Sequence, residues 1–169
     1  MSGGQPRARR ERRRDRRRPD WDESAWTRAT IPGFDSTFSI ITLHDVVALA
    51  ANNVWVVGSA FHRQLFQEVP YMLRWDGQDW QHSTIPNPPA GAFHSVTALS
   101  PTKVYAVGTG GLVTRWNGSS WTRETTPSPG LSDALVGASS TGTGNVWAVG
   151  WQMNSGGTLR TLAMRTGNG

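Results

Sequence analysis

The heptad RWDGQDW at residues 74–80 returns almost unchanged as RWNGSSW at residues 115–121. In each copy two tryptophans flank an Asp-Gly or Asn-Gly dipeptide. Such dipeptides tolerate positive φ and favour tight turns between antiparallel strands. The heptad therefore predicts a hairpin in which Trp75 ends one strand and Trp80 begins the next, with Trp116 and Trp121 in the same roles. Asp76-Gly77 and Asn117-Gly118 form the turns. The two indoles of each copy are expected on neighbouring layers of stacked sheets.

The heptad belongs to a longer frame. Trp75, Trp80 and Pro86 are spaced five then six, as are Trp116, Trp121 and Pro127, and as are Trp21, Trp26 and Pro32. Between these lies a second frame: VWVVG at 54–58, VYAVG at 104–108 and VWAVG at 146–150, anchored by Trp55, Tyr105 and Trp147 and by Gly58, Gly108 and Gly150. Small apolar segments precede each: VVALA at 46–50, VTALS at 96–100 and VGASS at 136–140. Gly58 to Gly108 is 50 residues and Gly108 to Gly150 is 42. Periods of this length with aromatic and glycine anchors are typical of β-propeller blades.

Each segment reads locally as a strand, being β-branched, aromatic and closed by glycine. The expected strands are 45–50, 54–60, 70–75 and 79–85, then 95–100, 103–108, 112–116 and 120–125, then 135–139, 145–151 and 159–165. Residues 25–31 read as a fourth strand with no first three before it. The fold class is thus all-β, an array of about three four-stranded antiparallel blades over 21–169, preceded by an Arg-rich tail over 1–20.

The pattern VWAVG, then a variable loop, then R-W-[DN]-G-x-x-W and a Thr-Pro ending resembles tandem repeats in bacterial proteins predicted to be kelch-like β-propellers. A single glycine at 58, 108 and 150 stands where kelch repeats carry a pair, and Thr166 stands where the third copy should have tryptophan. The resemblance implies a scaffold and no particular chemistry, since propellers host enzymes, lectins and interaction platforms alike. Propellers usually have four to eight blades. Three readings stand side by side: a fragment of a longer repeat protein, a homodimer completing a six-bladed ring, or an open stack.

Charge is unevenly placed. Residues 1–18 hold nine of the 17 basic side chains and two of the 12 acidic ones, a net of +7, leaving eight basic and ten acidic, net −2, for the remainder. The tail arginines are Arg7, Arg9, Arg10, Arg12, Arg13, Arg14, Arg16, Arg17 and Arg18. Without apolar periodicity this segment is expected to be disordered. It is a candidate for binding nucleic acid or another anionic surface through phosphate contacts. No cysteine is present, which excludes disulfides and thiolate metal sites. No apolar run reaches the ~20 residues of a membrane span. No apolar h-region follows the basic start, so the chain as written reads as lacking a signal peptide and as cytoplasmic.

Residues suited to catalysis are sparse. The histidines at 44, 62, 82 and 94 lack ligand spacing, and His44 and His94 occupy the same repeat position, with Ala134 as the third-copy equivalent. The carboxylates fall at turns and strand ends, so no catalytic pair, metal or cofactor is expected, and a propeller-type hydrolase is the weakest alternative. Eight of the nine tryptophans sit at repeat anchors and are expected in blade cores. Trp151 lies outside the frame and is expected to be exposed. The connections 59–69, 109–111 and 151–157 vary most, and together with 33–38, 87–93 and 128–133 they are expected on one face. Variable loops on a rigid frame are where binding usually resides. Phe61, Arg63, Phe66, Phe93 and Trp151 are therefore the candidate contacts for a glycan or protein ligand.

Overall fold

The structure is a computed structural model that describes residues 28–31, 36–127, 132–142 and 144–166. The tail arginines, Trp21 and Trp26 lie outside the described residues. The chain divides into two units, residues 1–30 and 31–169, and all eleven strands belong to the second. In the first, Arg28–Thr30 are exposed and outside regular structure, so the strand expected over 25–31 is not present where it is described.

Every other expected strand forms, and no helix occurs among the described residues. The first sheet has the order β1 (Phe38–Ala50), β2 (Asn53–His62), β3 (Gln67–Trp75), β4 (Trp80–His82). The second has β5 (Phe93–Ser100), β6 (Lys103–Gly108), β7 (Val113–Trp116), β8 (Trp121–Arg123). The third has three strands, with β10 (Val146–Met153) between β9 (Ser132–Ser140) and β11 (Leu159–Arg165). All pairings are antiparallel, between strands joined by short turns.

The heptads form hairpins, but in one respect differ from expectation. Trp75 pairs directly with Trp80, and Trp116 with Trp121. Direct cross-strand partners share a face, so the two indoles touch each other, with ring centroids 5.5 Å and 5.7 Å apart, instead of entering separate layers. The turn is a four-residue loop closed by its first side chain. Asp76 Oδ1 accepts the N–H groups of Gln78 and Asp79, each at 2.9 Å, and Asn117 Oδ1 does the same for Ser119 and Ser120. The bonds from Asp79 and Gln78 hold the Asp76 carboxyl below its ordinary range. Gly77 and Gly118 carry the positive φ, 104° and 105°.

The sheets stack in chain order. Trp55 and Val57 of the first sheet are fully buried against the second, where Trp116 lies 5.2 Å and Trp121 5.2 Å from the Trp55 ring. Arg74 caps this cluster, 5.3 Å from Trp55 and 5.9 Å from Trp116. A smaller core of Val107, Leu135 and Ala148 joins the second sheet to the third. A further cluster, including Phe38, Tyr71 and Leu73, covers the opposite face of the first sheet, with Ile31 packed on it. Ile85, the repeat equivalent of Ile31, packs between the first and second sheets. The tail at 84–86 thus leaves its sheet and wedges Ile85 into a core, and β4 is three residues long where seven were expected.

Tryptophan burial follows this order and departs from the uniform expectation. Trp55, Trp116 and Trp121 are core residues, Trp75 and Trp80 are half-buried, and Trp147 is 44% exposed. An identical motif is buried only where a neighbouring sheet covers it.

Candidate functional site

Gly108 ends β6. Gly58 and Gly150 lie inside β2 and β10. Each of the three faces a register shift in the first strand of its sheet, at Leu43/Asp45, Phe93/Ser95 and opposite Val149/Gly150. A Cβ at these glycines would overlap the carbonyl oxygen of Thr42, Ala92 or Ala134. The bulge drives a backbone carbonyl against the neighbouring strand, and only glycine leaves it room. The register places His44, His94 and Val136 at the bulges, so the third-copy equivalent of the histidines is Val136 and not Ala134. Ala134 follows from allowing a two-residue insertion in SSTGTGN at 139–145; the register shows none there, and Val136 stands 11 residues before Trp147, as His44 and His94 stand before Trp55 and Tyr105.

These bulges lie toward the end of the array that carries the β2–β3 and β6–β7 turns. There the imidazoles of His44 and His94 stack with centroids 5.6 Å apart. His44 Nδ1–H donates to the Phe93 carbonyl at 2.6 Å. Thr109 Oγ1 accepts the Ala92 N–H, and its hydroxyl is placed to donate to His94 Nε2 at 3.2 Å. Successive backbone bonds tie this end together, from Gly91 N to Glu68 O at 2.9 Å and from Gly110 N to Asp133 O at 2.7 Å.

Burial lowers the His94 pKa below its ordinary 6.5, the neighbouring His44 lowers it further, and Glu68 opposes both. The unfolded chain therefore takes up a proton at a pH where folded His94 does not. Stability should fall as pH drops below 6.5 and level off once folded His94 also protonates. Urea titrations of the wild type and His94→Gln at pH 5 to 8 would show this as a slope that the variant lacks.

A second set of contacts crosses between sheets. Asp45 Oδ2 accepts the Ser95 hydroxyl at 2.6 Å and the Val96 N–H at 2.9 Å. Ser95 Oγ in turn accepts the Ala138 N–H at 3.0 Å. Asp45, Ser95 and Gly137 are repeat-equivalent, so the relay runs from sheet to sheet and stops at Gly137. These side-chain bonds join the first strands of successive sheets, β1, β5 and β9, and add to the backbone bonds Gly91–Glu68 and Gly110–Asp133 that also cross between sheets. Asp45→Ala should cost about 1–3 kcal/mol, because two donors lose a charged acceptor, while Asp45→Asn should cost less; chemical denaturation midpoints decide. Sequence inspection missed this relay. The signal for it was the matched adjacency His44-Asp45 and His94-Ser95.

The five candidate contacts separate. Phe66 is 83% exposed and adopts φ 50° in the turn between β2 and β3. Arg63 is exposed beside it, its Nε–H donating to the Phe38 carbonyl at 3.3 Å. Phe61 is half-buried within β2, because the strands extend to His62 and from Gln67 and shorten the expected loop. Phe93 is fully buried in the core between the first two sheets and is withdrawn as a contact: β5 begins there, two residues before its expected start. Trp151 is 36% exposed but lies in β10, paired with Ala134 and Thr161, and not in a loop.

A cleft of about 560 Å³ opens between the second and third sheets, lined by Tyr105, Arg115, Glu124, Met164 and Thr166 among others. It occupies the place that indoles fill between the first two sheets. Tyr105 replaces Trp55, and Thr166 replaces Trp116, leaving space. Glu124 is paired with Arg115 at 2.7 Å and is the one carboxylate among the cleft's described lining residues, where two-carboxylate hydrolysis needs a pair. Among the described residues no three His, Cys, Asp or Glu side chains gather closely enough to hold a metal ion.

These sheets and bulges define an all-β protein of three packed antiparallel sheets with a buried tryptophan cluster. No family model matches the chain, and no curated protein matches it.

Proposed function

We propose that this protein is a propeller-type, non-catalytic binding scaffold that presents its turn-bearing end to a glycan or protein ligand. The observation that carries the reading is Phe66. A bulky residue with positive φ is uncommon, and backbone strain of this kind persists where surrounding structure imposes it and clusters at binding sites. Here it holds an aromatic ring in solvent, beside Leu65 at 52% exposure and the exposed Arg63. Such an apolar tip with an adjacent guanidinium suits a partner surface or the apolar face of a sugar ring. The frame behind it is stiffened by the interlocked bulges and the Asp45–Ser95 relay. Glycan arrays and pull-downs with the wild type should give a ligand whose retention falls at least tenfold in Phe66→Ala with Arg63→Ala. Binding that is absent, or indifferent to both changes, would count against this end as the site.

A second reading is attachment to nucleic acid or an anionic surface through Arg7–Arg18, favoured by the contrast between +7 in residues 1–18 and −2 in the remainder. Deleting residues 1–18 should then abolish salt-sensitive DNA binding. No helix among the described residues is long and apolar enough to cross a membrane.

A further inference from the structure

The outer face of the third sheet is half of an interface whose complete form already exists inside the molecule. Between the first and second sheets, Trp55 lies on the Trp116–Trp121 pair and is capped by Arg74. The register aligns Trp147 with Trp55, Val149 with Val57 and Arg165 with Arg74. On the third sheet the same arrangement is present: the Arg165 guanidinium stands 5.8 Å from the Trp147 ring. Yet Trp147 and Val149 are 44% and 48% exposed, where Trp55 and Val57 are fully buried. The receiving half exists in part, since Ile31 packs on the cluster that includes Phe38 and Tyr71 on the same face, leaving the tryptophan pair and Val46 partly open. Trp75 and Trp80 are the equivalents of Trp116 and Trp121, and their shared face of the first sheet points away from the second. At the centre of that face Leu73 and Val56 are covered, but Val46 is 58% exposed and both indoles remain half-buried. Val46 is the equivalent of Val96, which the interface between the first two sheets buries.

We propose that the outer face of the third sheet docks on the outer face of the first sheet of a second copy, Trp147 seating against the partner copy's tryptophan pair at 75 and 80. Two such junctions close a ring of two copies and six sheets, within the usual size of closed propellers. The junction repeats the internal interface at the tryptophan pair, and it differs in two ways: Ile31 already packs on part of the receiving face, and the side-chain relay is missing. Gly137 occupies the place of Asp45 and Ser95, so no side chain carries the relay across to the next sheet. The contact between copies is accordingly weaker than the contact between sheets, and it dissociates on dilution while each copy stays folded. This inference rests on the repeat packing and is independent of what the turn-bearing end binds.

The test uses the full chain. Sedimentation over a range of concentrations should show reversible conversion between 18.5 kDa and twice that mass. Trp147→Asp, at an exposed position, should weaken the association at least about 30-fold, the loss expected for a central aromatic contact, with the β-sheet circular dichroism unchanged. The chain has no cysteine, so introduced thiols report geometry without interference. Ser139, beside Trp147, and Ala48, beside Val46, are both exposed. A mixture of Ser139→Cys and Ala48→Cys chains should cross-link with a bismaleimide of about 10 Å reach, the spacing of stacked sheets. A chain that is monomeric throughout overturns the proposal. Cross-linking of Ser139→Cys chains to themselves overturns it in favour of back-to-back pairing, and an unbounded ladder of oligomers overturns ring closure.

Discussion

Gly108→Ala is expected to destabilise the protein by about 3–5 kcal/mol, in the range where a single change threatens folding altogether. The added methyl would overlap the Ala92 carbonyl oxygen, with the Ala92 carbonyl carbon 2.9 Å and Phe93 Cα 3.0 Å away. All three are backbone atoms at the entry to the adjoining strand, β5. No rotamer change relieves the clash, so the bulge at His94 must open, and with it the stacking on His44 and the burial of Phe93. Gly142→Ala supplies the control, since a Cβ there meets nothing within 4 Å and should shift stability by less than about 0.5 kcal/mol. Thermal and urea unfolding of the two variants side by side measure the difference. A Gly108→Ala protein as stable as wild type would remove the bulge as the reason for the repeated glycine.

Trp55→Ala carries the second large effect, again about 3–5 kcal/mol, as for other buried tryptophan truncations. The ring is fully buried between Trp116, Trp121 and Arg74, so its removal leaves a cavity that neither sheet can close by itself. Its indole N–H has no hydrogen-bond acceptor among the described residues, so Trp55→Phe should cost distinctly less and isolates the contribution of volume. Trp147→Ala in the monomer should cost under about 1 kcal/mol, because its ring is 44% exposed. Equal losses at the two positions, measured at a concentration where copies are separate, would contradict the assignment of inner and outer faces.

The strands were legible because each one is a short, self-contained chemical pattern. Residues 54–58 and 104–108 alternate faces and bury both, and the Asp76-Gly77 and Asn117-Gly118 turns close with the side-chain bonds such dipeptides favour. The candidate site was less legible. Phe66 was read as a loop residue and lies exposed in the β2–β3 turn, but Phe93 was misread as one because β5 starts earlier than its apolar run. Asp45 was read with the other carboxylates as a turn or strand-end residue, but it lies inside β1, and its partners Ser95 and Val96 are about fifty residues away. The third equivalent of His44 and His94 shifted from Val136 to Ala134 through an assumed two-residue insertion that the β9–β10 connection does not contain.

By itself the sequence determined the all-β class, the order of the strands between residues 38 and 165, their turns and the near-even repeat, since these depend on contacts between residues close along the chain. Only the tertiary structure decided which copy of each motif is buried. Trp55, Trp147, Trp75 and Trp116 belong to matching local patterns, and nothing local distinguishes an indole with a sheet stacked over it from one without. That distinction is a property of position in the stack: burial requires a neighbour, the inner faces have one within the chain, and the faces carrying Trp147 and the Trp75–Trp80 pair stay partly open to solvent.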